Sequence, residues 1–182
     1  MHSLFVAFEL PDALAVRLFE LMSGVANARW QRADQLHLTL RYVGAADSRL
    51  CDDIISALSW LDFAAVSVQL SGVGSFGEKR SGGGALWAGV APHDALAALH
   101  RKLDFAMVRT GLPAEPRAYL PHITVARLPR SHGLTTDWLA AHASLASPPV
   151  TFNTLTLFDS VRTQQGSHYE PLARWYCKAR CE

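Results

Sequence analysis

Two short stretches of the chain combine residue types that can move protons. Leu36-His37-Leu38-Thr39-Leu40 and Pro121-His122-Ile123-Thr124-Val125 share a His-x-Thr core with apolar residues at the interleaved positions. Side chains in a strand alternate faces, so His37 and Thr39 point one way while Leu38 and Leu40 point toward a core. His122 and Thr124 stand in the same relation to Ile123 and Val125. A single such triplet among eight histidines is a weak signal, but two in the same apolar setting are specific as a pair. Imidazole titrates near pH ~6.5, so at neutral pH one ring can be a base while the other is an acid. Such a pair can deprotonate an attacking water and protonate a leaving alkoxide on opposite sides of a phosphorus, as a strained cyclic phosphodiester requires. The Thr39 and Thr124 hydroxyls can donate to non-bridging oxygens, and Arg127 can add a bidentate contact to the same charge.

Other chemistries lack their residues. There is no HExxH, no carboxylate cluster beside either motif and no Gly-x-Ser-x-Gly elbow, so neither a metal centre nor a serine nucleophile is expected. The Gly74–Gly84 stretch lacks both the ending of a P-loop and the spacing of a dinucleotide fingerprint. It reads as a mobile hairpin loop, and no cofactor is expected. Cys51, Cys177 and Cys181 are an odd number without paired-ligand spacing, which fits free thiols in a reducing cytoplasm. The other histidines (His2, His93, His100, His132, His142 and His168) lack the motif context and read as surface or structural.

The histidines must be positioned by the elements around them. Strands are expected at Ser3–Glu9, Arg29–Arg32, Leu36–Val43 (stopping at Gly44), Val66–Ser75, Leu86–Val90, Tyr119–Arg127, Val150–Val161 and Tyr169–Cys177. Helices are expected from Pro11-Asp12 with Leu14, Leu18, Leu21 and Val25 on one stripe, and from an Asp47 cap to about Leu61. Two more are expected over Asp94–Arg109, closed by Gly111, and Leu134–His142. One unit occurs twice: Leu4-Phe5 through Asp12-Ala13-Leu14 aligns with Leu86-Trp87 through Asp94-Ala95-Leu96, and each copy then reaches a His-x-Thr strand. The expectation is an α+β fold, a bilobed pseudo-twofold duplication with two antiparallel sheets flanking a central cleft and helices outside. It would be one domain over 1–182, of two intertwined lobes with repeat units near 3–44 and 85–128.

Bulk properties restrict the setting. The chain has 182 residues, 49% of them hydrophobic, and a net charge of +1. No apolar run approaches the ~18 residues of a membrane span, and Glu9 and Asp12 interrupt the first apolar stretch, so the N-terminus reads as a strand and not a signal peptide. A cytoplasmic monomer is expected, with no membrane partner. The net charge does not advertise nucleic acid. Arg117, Arg127 and Arg130 form an acid-free segment that by itself reads as a solvated loop face.

With these motifs the chain resembles the 2H phosphoesterase superfamily, and within it the RNA 2',3'-cyclic phosphodiesterase family, also called 2'-5' RNA ligase. The resemblance runs through Leu4–Pro11, Leu36–Gly44, Leu86–Val90, Pro121–Arg127 and Tyr169–Trp175. It implies metal-independent opening of a terminal RNA 2',3'-cyclic phosphate to a 2'-phosphate, and the reverse joining to a 5'-hydroxyl as a 2'-5' linkage. It also implies His37 as the acid at the 3'-oxygen, His122 as the base on water, Arg127 as the family's arginine and Tyr42 as an aromatic for base stacking. Strict alternation puts Tyr42 opposite His37 unless the strand bulges, and puts Arg41 on the His37 face, where it either reaches the phosphate or edges into solvent, the second being favoured. Competing readings are another cyclic or 2'-5' nucleotide as substrate, or a non-catalytic RNA- or nucleotide-binding module. The intact histidines and threonines argue against the latter.

Overall fold

The computed structural model describes residues 1–77, 83–163 and 166–178. In chain order the elements are β1 (His2–Glu9), α1 (Asp12–Phe19), β2 (Arg29–Trp30), a 3-10 turn (Ala33–Gln35), β3 (His37–Ala46), α2 (Ser48–Ser59), β4 (Val66–Phe76) and β5 (Gly84–Ala91). There follow α3 (His93–Val108), β6 (His122–Leu128), α4 (Thr136–His142), β7 (Val150–Phe152), β8 (Thr154–Thr163) and β9 (Gly166–Tyr176). The fold is α+β with two antiparallel sheets, of order β3-β1-β8-β9 and β2-β6-β5-β4-β7. Among the described residues no helix is long and apolar enough to cross a membrane.

The units β1–α1–β3 and β5–α3–β6 are built alike. In each, a strand leads through a proline into a helix whose leucines are buried, and the histidine strand then returns antiparallel beside the first, with β2 intervening in the first unit only. The first unit puts His37 on the edge strand of one sheet; the second puts His122 one strand in from the edge of the other. β1 is buried on both faces. Leu4, Val6 and Phe8 enter the main core with Leu38, Leu40, Leu155 and Leu157, while Phe5 and Ala7 meet Phe158 and Tyr169 on the opposite side. Asp47 caps α2, its carboxylate accepting from the Leu50 amide at 2.8 Å.

Four expectations need correction. The helix after Pro11 ends at Phe19, and Leu21 and Val25 are buried from the turns that follow, which include Gly24 at φ +85°. β3 does not stop at Gly44 but runs to Ala46, because Gly44 at φ +85° lies at a register shift within the strand. The single strand expected over Val150–Val161 is two: β7 pairs with β4 in one sheet and β8 with β1 in the other. Asn153 is the crossover point, where its carbonyl accepts from the Cys177 amide at 2.7 Å. Of the stretch expected as a loop, Gly74–Phe76 belongs to β4 and Gly84 to β5, and residues 78–82 lie outside the described residues. Gly74 is in the sheet for a steric reason: a Cβ there would lie 2.1 Å from the Trp87 ring.

Candidate active site

The strands carrying the two motifs share a departure from regular pairing. In β3, Thr39 pairs with Ala7 and Arg41 with Val6, leaving Leu40 as an extra residue. In β6, Thr124 pairs with Trp87 and Ala126 with Leu86, leaving Val125 extra. Each bulge resets alternation by one position. Past the bulge, the face that carries His37 and Thr39 therefore continues at Tyr42, and the face of His122 and Thr124 continues at Arg127. Tyr42 does reach the His37 side, through the bulge that this placement requires.

Arg41 is the corollary and a correction. The bulge turns it away from the His37 face and beneath α3, where it is 6% exposed. Its guanidinium donates to Asp104 at 2.8 Å, to Glu115 at 3.2 Å, to the Pro113 carbonyl at 2.8 Å and to the Tyr42 carbonyl. Two further groups brace the bulge. His100 Nδ1 donates to the Leu40 carbonyl at 2.7 Å and stacks on Tyr119 at 4.4 Å, and the Tyr119 hydroxyl donates to the Thr39 carbonyl at 3.0 Å. Burial pushes the Tyr119 hydroxyl well above its ordinary pKa, so it stays a donor.

The histidines are fixed in the same way. His37 Nδ1 donates to the Gln35 carbonyl and His122 Nδ1 to the Leu120 carbonyl, both at 2.8 Å and both two residues back. In the neutral rings this bond leaves Nε2 as the free lone pair. Gln35 is held in turn, its side chain accepting from the Arg32 amide and donating to the Ser167 carbonyl. His37 leans on Phe5 (4.8 Å) and meets the edge of Tyr169 (5.0 Å); His122 meets Phe76 (4.8 Å) and Trp87 (6.1 Å). These apolar walls lower both pKa values by desolvation, that of His37 to about 4. The Arg127 cation lowers both further, and His122 adds to the shift at His37.

His37, Thr39, Tyr42 and Arg127 line one cavity of about 350 Å³. Thr39, Tyr42 and His122 line its neighbour of about 620 Å³, together with Phe76, Tyr119 and Arg117. Thr39 and Tyr42 thus join the two spaces. Thr124 is half-buried beside His122 but borders neither cavity, and Arg130 lies in the turn after β6, away from both. Among the described residues no group of three or more His, Cys, Asp and Glu side chains gathers as a metal site would. His100, set aside as structural, is structural and buried. Cys51 and Cys177 are free thiols, and Cys181 lies outside the described residues. The sequence reading did not single out Gln35 or the aromatic walls. Phe5 and Trp87 had a signal, since they occupy matching positions in the repeated unit.

The sequence matches the model of the 2'-5' RNA ligase superfamily over residues 10–164. This chain belongs to that superfamily. Two curated relatives carry the name RNA 2',3'-cyclic phosphodiesterase. That of Archaeoglobus fulgidus is 24% identical over 172 residues, covering 93% of this chain and 97% of the relative. That of Thermotoga maritima is 26% identical over 176 residues, covering 92% and 91%. The crystal structure of E. coli LigT complexed with 3'-AMP superposes with a TM-score of 0.75 at 22% identity, covering 98% of this chain and 99% of that one, so the fold is shared end to end.

Proposed function

We propose that the protein hydrolyses the 2',3'-cyclic phosphate at an RNA terminus to a 2'-phosphate, with His37 and His122 as the acid–base pair. The observation that carries this reading is the matched presentation of the rings. Each Nδ1 is committed to a backbone carbonyl, neither Nε2 has a hydrogen-bond partner among the described residues, and Arg127 acts on both. His122 Nε2 takes a proton from water as the water oxygen bonds to phosphorus. The P–O3' bond breaks, and the 3'-oxygen leaves as a hydroxyl with the proton from His37. Thr39 and Arg127 meet the non-bridging oxygens, where charge concentrates in the transition state.

For His37 to act as the acid, substrate binding must put a proton on a ring that burial otherwise holds neutral. In the free site both rings are held neutral by burial and by Arg127. A bound phosphate anion offsets Arg127 and favours a proton on the ring facing the leaving oxygen. With a 5'-hydroxyl in place of water, the same bond changes would join the strands: the 5'-oxygen bonds to phosphorus, P–O3' breaks, and a 2'-5' linkage forms without ATP.

The test is a short RNA ending in a 2',3'-cyclic phosphate, incubated with the protein in excess EDTA beside His37→Ala and His122→Ala. The expected result is a 2'-phosphate end with the wild type and a loss of about 10²–10⁴-fold in either variant. A 3'-phosphate product, or activity surviving either substitution, overturns the assignment.

A further inference from the structure

A third cavity, of about 610 Å³, adjoins the His37 cavity at Arg127 and contains neither histidine. Arg29, Arg127, Gln31 and Ser167 line it, and it shares Arg127, Ser167 and Tyr169 with the His37 cavity. Its wall contains an unfavourable pair. In the β2–β6 ladder Arg29 stands directly opposite Arg127. Directly opposed residues of an antiparallel pair point to the same face with Cβ atoms about 5 Å apart, and like charges in that relation repel. Neither guanidinium has an acidic partner among the described residues, whereas Arg17, Arg32, Arg41 and Arg174 each have one. Two unpaired cations facing each other in a concave space leave an anion as the missing component, and arginine forks suit the oxygens of a phosphate.

We propose that Arg29, with Arg127, holds the internucleotide phosphodiester on the 5' side of the terminal nucleotide, making this cavity a subsite for an RNA strand. The inference rests on the function proposed above, which puts the reacting phosphate at His37, Thr39 and Arg127. Arg127 then lies between two phosphates, contacting the reacting one from one cavity and sharing the next with Arg29. Arg29 is a binding residue for longer substrates and has no part in bond breaking. A nucleoside 2',3'-cyclic monophosphate lacks this second phosphate and cannot use the subsite.

The experiment compares wild type and Arg29→Ala on three substrates: a nucleoside 2',3'-cyclic monophosphate, a trinucleotide ending in a 2',3'-cyclic phosphate, and that trinucleotide with a neutral methylphosphonate at its last internucleotide linkage. Arg29→Ala should lower kcat/KM about tenfold on the charged trinucleotide, mainly through KM, as expected for one contact between charged groups. It should leave the mononucleotide unchanged. The methylphosphonate should cost the wild type a similar factor and cost Arg29→Ala nothing more. Equal losses on all three substrates, or none on any, overturn the proposal. Should the wild type turn over no substrate, the function proposed above fails and anisotropy of a labelled trinucleotide decides this one. Weaker binding to Arg29→Ala, with a salt slope smaller by ~0.7, sustains the subsite; equal binding removes it.

Discussion

Arg41→Ala should cost the protein both stability and activity, though Arg41 is turned from the His37 face and only borders the His122 cavity. The substitution removes four donor contacts, two to carboxylates and two to backbone carbonyls. It strands Asp104 and Glu115, each with a side chain 22% exposed. Removing one partner of a buried ion pair typically costs 3–5 kcal/mol, and partial access of water to both carboxylates puts this case at the low end, about 3 kcal/mol. For a chain of this size 1 kcal/mol moves Tm by about 2–4 °C, so the drop should be about 6–12 °C. The site should suffer as well, because the Tyr42 carbonyl and the bulge that aims Tyr42 lose their tether. Thermal melts and kcat/KM on the cyclic-phosphate RNA, measured below the melt of the variant, read the two effects separately. Adding Asp104→Asn to Arg41→Ala should recover part of the stability by removing a stranded charge. A Tm within 2 °C of wild type, or a destabilised variant with unchanged kcat/KM, would refute the bracing role.

Two further outcomes follow from the same structure. His37 has a folded pKa of about 4, below its unfolded value of about 6.5, so its contribution to stability is complete above pH ~6.5 and is lost as pH falls toward ~4. That contribution is of order 3 kcal/mol, and the urea midpoint of His37→Asn should fall less between pH 7 and 4.5 than that of wild type; parallel curves would sink the assignment. Gly74→Ala places a methyl against the Trp87 ring beside His122 and should cost about 1–3 kcal/mol with a loss of kcat. An unchanged enzyme would mean that Trp87 is free to move.

The histidine pair was legible because its signal is local: residue type, period-two spacing and repetition all lie within a few positions of one another. Most strands and helices were legible for the same reason, and so was the Asp47 cap. The direction of Tyr42 and Arg41 was not. It depends on one extra residue in β3, and nothing in Leu38–Val43 marks a bulge whose carbonyls are taken by His100 and Tyr119, far along the chain. The break at Asn153 was hidden likewise, since apolar alternation runs through Phe152 and Leu155 while the partners on either side belong to different sheets. Leu21 and Val25 kept a helical rhythm because burial, and not helix, was what the pattern recorded.

The paired bulges give the cleft a polarity. Two strands with a histidine, a threonine and an extra residue at matching positions would, left alike, accept an anion in either of two opposite orientations. The position after the bulge breaks that tie, with a flat phenol ring at Tyr42 on one wall and a cation at Arg127 on the other. A molecule with one planar end and one charged end can settle there only one way round. On the proposed reaction, the choice of which oxygen leaves would then rest on two side chains that never need to touch a proton.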